Sequence, residues 1–172
     1  EELLRQAIKK EVFGTKMRSV IKNANENGVA AIVKQQFEIA KMIIAAKLVP
    51  IIEPEVDIHC ETKAEAETML LKHLMDHIEQ LASDQKVILK LTIPNENNLY
   101  TSCINHPNVI RVFALSGGYS RDDANSLLTQ NKRMVASFNR ALTEGLSVEQ
   151  SDEEFNLILD SSIESIYQAS IT

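Results

Sequence analysis

Val87-Ile88-Leu89-Lys90-Leu91 is an aliphatic run broken only by a lysine, and how it is read decides the fold. Alternation in a sheet exposed on one side would place a polar residue at every second position. A near-continuous apolar run is instead the mark of a parallel strand covered on both faces. On its N-terminal side, Leu70, Leu74, Ile78 and Leu81 recur at helical spacing behind Thr62-Lys63-Ala64-Glu65, which reads as a capping box. Farther upstream lies a second strand, Leu48-Val49-Pro50-Ile51-Ile52-Glu53. A helix marked by Val29, Ile32, Val33, Phe37, Ala40 and Ile44 precedes it, and a short strand, Thr15 to Val20, follows Gly14. The segment around Leu3, Leu4 and Ile8 reads as the tail of a helix.

Downstream, a short polar helix is expected from about Asn98 to Asn105. A strand from Val109 to Ser116 then closes on Gly117-Gly118. Ser120 with Asp123 caps a helix running to about Gln130, and Met134 to Phe138 reads as a fifth strand. Ser151 with Glu154 caps a last helix carrying Phe155, Ile158, Leu159, Ile163 and Ile166. Strands separated by helices require a parallel sheet with right-handed crossovers. Five such units in 172 residues suit a complete open sheet. A closed eight-unit barrel needs roughly 250 residues, and a five-strand piece of one would leave two unpaired edges. The chain also starts inside a helix with no strand before it, which reads as a truncated N-terminus.

Composition narrows the function. At 44% apolar and 24% charged, the chain has material for one core and is neither disordered nor fibrous. No uninterrupted apolar run exceeds five residues, so neither a membrane span nor a signal-peptide core is expected. Eighteen Lys and Arg against 24 Asp and Glu give a net charge of -6, which argues against a nucleic-acid or anionic-membrane surface. A phosphorylated metabolite is still compatible if the few cations converge. Cys60 and Cys103 cannot build a disulfide framework, suit a reducing cytosol and lack CxxC spacing. His73 and His77 stand four apart on a helix, but no adjacent glutamate completes a metalloprotease pattern, and solvated helix positions explain them better.

Polar residues fall where strands should be apolar. Lys16 and Arg18, two apart, share one face of the first strand, and Glu53 and Glu55 do the same at the end of the second. Lys90 interrupts the third strand, Ser116-Gly117-Gly118 ends the fourth, and Arg140 follows the fifth. Singly each has a plain reading: loop charges, a charged turn, a buried ion pair, an ordinary strand-to-helix turn. Together they deliver ionisable or phosphate-binding groups from five successive strands to one rim. In barrels that rim is where catalytic groups sit. A lysine amine is nucleophilic only when deprotonated, and burial or nearby cations favour that state. Lys16 and Arg18 would supply the positive field for Lys90, whose amine would attack a ketone to give an imine, an electron sink. Glu53 would shuttle protons. Ser116, the Gly117 and Gly118 amides and Arg140 would clamp a phosphate.

Five motifs recur in a known family. They are Lys16-Met17-Arg18, Val49-Pro50-Ile51-Ile52-Glu53-Pro54-Glu55, Leu89-Lys90, Ala114-Leu115-Ser116-Gly117-Gly118 and Ser137-Phe138-Asn139-Arg140-Ala141-Leu142. In this order they resemble class I fructose-1,6-bisphosphate aldolase. The bacterial branch is nearest, through Phe13-Gly14-Thr15 to Ser19 and Ser151-Asp152-Glu153-Glu154-Phe155. The resemblance covers essentially the whole chain. It implies an α/β (β/α)8 TIM barrel, with residues 1–172 forming the C-terminal part of a single barrel domain, strands four to eight, the first three being absent. It further implies that Lys90 forms a Schiff base with dihydroxyacetone phosphate and that Glu53 is the main proton-transfer residue, assisted by Glu55 and Lys16. Arg18 would lie near the distal phosphate, and Ser116, Gly117, Gly118 and Arg140 at the ketose phosphate. The class uses no metal and no cofactor.

The implied reaction is the reversible cleavage of fructose 1,6-bisphosphate to dihydroxyacetone phosphate and glyceraldehyde 3-phosphate. A cytoplasmic glycolytic lyase is expected, with sugar phosphates as partners, no nucleic acid and no membrane, and self-association left open. The missing strands carry an acidic residue and a lysine of the family's site, so a 172-residue product is expected to be inactive alone. A non-catalytic phosphate-binding half barrel is the alternative, and another Schiff-base barrel enzyme, transaldolase-like, is a third reading. Three places depart from the family pattern: Lys47 stands where glycine is usual, Lys132-Arg133 replaces a turn that usually contains glycine, and Asn139 replaces a smaller residue.

Overall fold

A computed structural model describes residues 2–172. Helix α1 (Glu2–Lys9) precedes β1 (Gly14–Ile21), α2 (Glu26–Ala45), β2 (Val49–Val56), α3 (Lys63–Ile78) and β3 (Val87–Thr92). Then follow α4 (Thr101–Asn105), β4 (Val109–Leu115), α5 (Arg121–Thr129), β5 (Val135–Ala136) and α6 (Asp152–Ser170). The five strands form one parallel sheet in the order β1-β2-β3-β4-β5. That order settles the choice between open sheet and barrel arc. A doubly wound sheet reverses its strand order at a switch point, whereas a strictly sequential order with crossovers of one hand keeps every helix on one face. Successive helices pack side by side there, α2 on α3 and α5 on α6. The opposite face holds the polar side chains.

Between helices and sheet lies the core, with Ile52, Leu70, Leu74, Ile78, Leu89, Leu91 and Phe37 almost fully buried. Helix α2 begins where the Asn25 side chain accepts the Gly28 N–H at 2.8 Å. It ends in a two-bond stop: Lys47 N–H reaches Ile44 O at 2.9 Å and Leu48 N–H reaches Ile43 O at 3.2 Å. Lys47 sits at φ 64, a left-handed position that favours glycine. Gly14, at the start of β1, is required for a different reason. A Cβ there would lie 2.2 Å from Val49 O, so only glycine admits the approach of β2.

Three expectations need correction. The fifth strand pairs over Val135–Ala136 alone, although Ser137 N–H still bonds Ala114 O at 2.8 Å. It is an edge strand with β4 as its sole partner among the described residues. The Thr62–Glu65 capping box does not form, because the Thr62 hydroxyl is taken by the Ala24 N–H at 2.9 Å. The polar helix before Pro107 starts only at Thr101, after a turn in which Asn98 takes φ 63. The other two caps form: Ser120 accepts the Asp123 N–H, and Ser151 and Glu154 cap each other reciprocally.

Candidate active site

Eight of the nine singled-out residues line one cleft of ≈ 430 Å³ on the polar face: Lys16, Arg18, Glu53, Glu55, Lys90, Ser116, Gly117 and Arg140. Gly118 does not line it; it is exposed, and a Cβ there would come within 3.9 Å of Arg140 Nη2. Leu115, Ser137 and Asn139 complete the wall. Ser137 belongs to a motif that the sequence displays, yet its hydroxyl was not singled out.

Strand register converts this list into geometry. Arg18 stands opposite Glu53, so a cation on β1 meets a carboxylate two residues farther along β2. Lys16 Nζ donates to Glu53 Oε2, and Arg18 holds Glu55 Oε2 with Nε at 2.9 Å and Nη2 at 2.8 Å. Hydrogen bonding to Glu55, reinforced by its charge, raises the Arg18 pKa. Each cation on β1 is thus anchored to its own glutamate rather than aimed at Lys90, so its charge is balanced there instead of standing as the free positive field that the sequence suggests. From β3, Lys90 Nζ lies 3.5 Å from Glu53 Oε1. Its side chain is 13% exposed and that of Glu53 4%. One buried carboxylate thus bridges two lysines. Four cationic side chains against two carboxylates make the cleft locally positive in a chain of net charge -6.

The strands open around these groups for a covalent reason. Pro54 has no N–H to give, and the β2–β3 ladder stops at Ile52–Leu89. The Thr92 hydroxyl rejoins the strands above the gap, accepting the Val56 N–H at 2.9 Å and donating to Val56 O at 2.7 Å. On the far side, Gly117 takes φ 62, and a Cβ there would meet Ile58 Cγ2 at 2.7 Å. The turn after Ser116 therefore demands glycine.

Two networks outside the cleft escaped the sequence reading. Gln36 is buried on α2 and accepts the Glu53 N–H; it falls within the apolar stripe of Val29, Val33 and Ala40, where the sequence gives no sign of the strand N–H opposite. Lys63 is buried and donates to Glu67 Oε1 at 2.5 Å, Ile93 O at 2.9 Å and Asn95 Oδ1 at 2.8 Å, pinning the loop after β3. Burial raises the Glu67 pKa against the opposing Asn95 and Lys63 bonds. The histidines are otherwise engaged: His73 bonds Glu26 at 3.0 Å, and His77 stacks on Phe37 with centroids 5.0 Å apart. Burial pushes the Cys103 thiol up to about 12, unsuited to nucleophilic attack. Among the described residues no group of three or more His, Cys, Asp or Glu could hold a metal ion, and no helix is long and apolar enough to cross a membrane.

Chemically, an amine beside a buried carboxylate can add to a carbonyl while the carboxylate relays protons. Opposite it, a serine, a glycine-rich turn and an arginine can hold an anion.

No family model matches the chain. The fructose-bisphosphate aldolase class 1 proteins of Synechocystis sp., Porphyromonas gingivalis and Clostridium acetobutylicum are 61%, 55% and 51% identical to it over 172, 170 and 172 residues. These alignments cover 99–100% of this chain and 57–58% of the relatives, so the chain spans a little over half their length. A solved fructose-bisphosphate aldolase from Plasmodium falciparum, in complex with TRAP and a small-molecule inhibitor, superposes with a TM-score of 0.76. It is 17% identical, with 98% of this chain and 60% of that one covered, a likeness of fold. The sheet is thus part of a TIM barrel, and over its whole length the sequence resembles class 1 fructose-bisphosphate aldolase, as its motifs indicated.

Proposed function

We propose that this chain carries the Schiff-base half of a class I fructose-bisphosphate aldolase, residues 1–172 supplying strands four to eight of an eight-stranded barrel. The single observation behind the chemistry is the Lys90 amine, on an interior strand, 3.5 Å from the carboxylate of Glu53. Lys90 Nζ attacks the C2 carbonyl of fructose 1,6-bisphosphate. Glu53 passes the proton that lets hydroxide leave as water, giving an iminium. Deprotonation of the C4 hydroxyl then breaks the C3–C4 bond, the electron pair moving into the iminium to form an enamine, and glyceraldehyde 3-phosphate departs. Protonation at C3 and hydrolysis release dihydroxyacetone phosphate and restore the amine.

Lys16 and Glu55 assist by fixing the charge around Glu53. Ser116, Gly117 and Arg140, with Gly118 behind them, hold the ketose phosphate, and Arg18 lies toward the distal phosphate. Sugar phosphates are the proposed partners and the cytoplasm the proposed location. Both cysteines are free and buried, in keeping with a reducing compartment.

Lys90→Arg tests the assignment in the intact protein. It preserves the charge but removes an amine able to deprotonate. Turnover should vanish while binding of the phosphate ligand persists, measured by calorimetry; normal turnover contradicts the role.

A further inference from the structure

One side chain bonded to the backbone of a cleft residue does not itself reach the cleft. Gln36 is 2% exposed on α2. Its Oε1 accepts the Glu53 N–H at 2.9 Å, and its Nε2 donates to Ser19 Oγ at 3.0 Å. The amide orientation is forced, since a backbone N–H only donates. One planar group therefore spans β1 and β2 from the helix side, where the Lys16–Glu53 and Arg18–Glu55 pairs span the same strands from the cleft side. Strand β2 keeps its register with β1 from Val49 to Val56, but on the β3 side it is short of ties at this height. Its ladder to β3 ends at Ile52, Pro54 has no N–H, and the Thr92 hydroxyl picks up only at Val56.

We infer that Gln36 is a positioning residue for Glu53, setting the height of that carboxylate between Lys16 and Lys90. The inference rests on the proposed aldolase reading and acts through Glu53 alone. An apolar side chain at this position leaves the buried Glu53 N–H without the Gln36 acceptor. The strand then relaxes, and a carboxylate displaced from hydrogen-bond reach no longer relays protons efficiently. The phosphate-holding groups beyond β4 and β5 share no hydrogen bond with Gln36, so substrate capture is spared.

Gln36→Met in the intact protein separates this from simple packing, because methionine matches the length without the amide. Active sites are counted by borohydride trapping of the Lys90 imine with dihydroxyacetone phosphate, carried to its end point so that slower imine formation does not lower the count, and turnover is expressed per trapped site. The expected result is a turnover per site lowered about tenfold or more, with KM changed by less than about twofold. If Gln36 only fills the core, a misfolded fraction loses trapping and turnover together, and turnover per site stays at the wild-type value; that outcome overturns the inference. Should Gln36→Met fail to fold, Ser19→Ala removes the far anchor alone. A fall of about two- to threefold per site supports the inference, and an unchanged value overturns it. A wild-type protein that gives no adduct on Lys90 overturns the aldolase reading itself, and with it this role. A trapping wild type beside an unaffected Gln36→Met refutes the positioning role alone.

Discussion

At the scale of single residues, the molecule tolerates unfavourable local choices where the surrounding structure fixes the backbone. Lys47 terminates α2 at φ 64 with both stop bonds in place. A side chain with a Cβ is disfavoured there by about 1 kcal/mol relative to glycine. Lys47→Gly should raise Tm by about 2–4 °C, and a thermal melt showing no gain would contradict the strain. This position was legible only through the family resemblance, in which glycine is usual there; the helix pattern alone does not mark which residue turns left-handed. Lys90 was legible from the residues themselves: a lysine within an aliphatic run must find a place on the cleft face or at an edge. Its partner was not. Whether Glu53 meets Lys90, Lys16 or both is set by the stagger of three strands, and no pair spacing along one chain encodes that. Gln36 was hidden by its own surroundings, since a glutamine in an apolar stripe reads as the stripe's margin until the strand N–H opposite is seen.

Elements were read well where local chemistry is self-contained and poorly where a neighbour competes. The Ser151–Glu154 cap formed because both partners lie within one turn at the exposed start of α6. The Thr62 cap failed because the Ala24 N–H, 38 positions away in sequence, claimed the same hydroxyl. The α6 cap makes a pH-dependent contribution. Accepting the Ser151 N–H, reinforced by the Ser151 hydroxyl, lowers the Glu154 pKa below its ordinary 4.5. A folded-state pKa below the unfolded value means that the stabilisation is complete above pH 4.5 and is lost as pH falls through the folded value. Glu154→Gln keeps an acceptor but cannot titrate. The urea midpoint of the wild type should therefore decline relative to the variant between about pH 7 and about pH 3. Parallel curves would remove the carboxylate from the account.

For the whole molecule, alternation of strands and helices predicted a parallel sheet, and the motifs told the barrel arc from the open sheet before strand order did. Arithmetic on length favoured the open sheet, because it takes no account of which strand lies beside which. The sequential order β1 to β5 and the cleft gathered from five successive strands and the turns after them make one architecture. Residues as far apart as Lys16 and Arg140 face one space because successive strands, or the segments that follow them, present polar side chains on the same face of the sheet. The central claim is that the amine at the middle of this rim bonds a substrate carbonyl. The direct measurement is peptide mass mapping of the intact protein after reduction with borohydride in the presence of dihydroxyacetone phosphate. A single covalent adduct on Lys90, absent in Lys90→Arg, is the result predicted. Labelling elsewhere, or phosphate bound with no adduct at all, would contradict it.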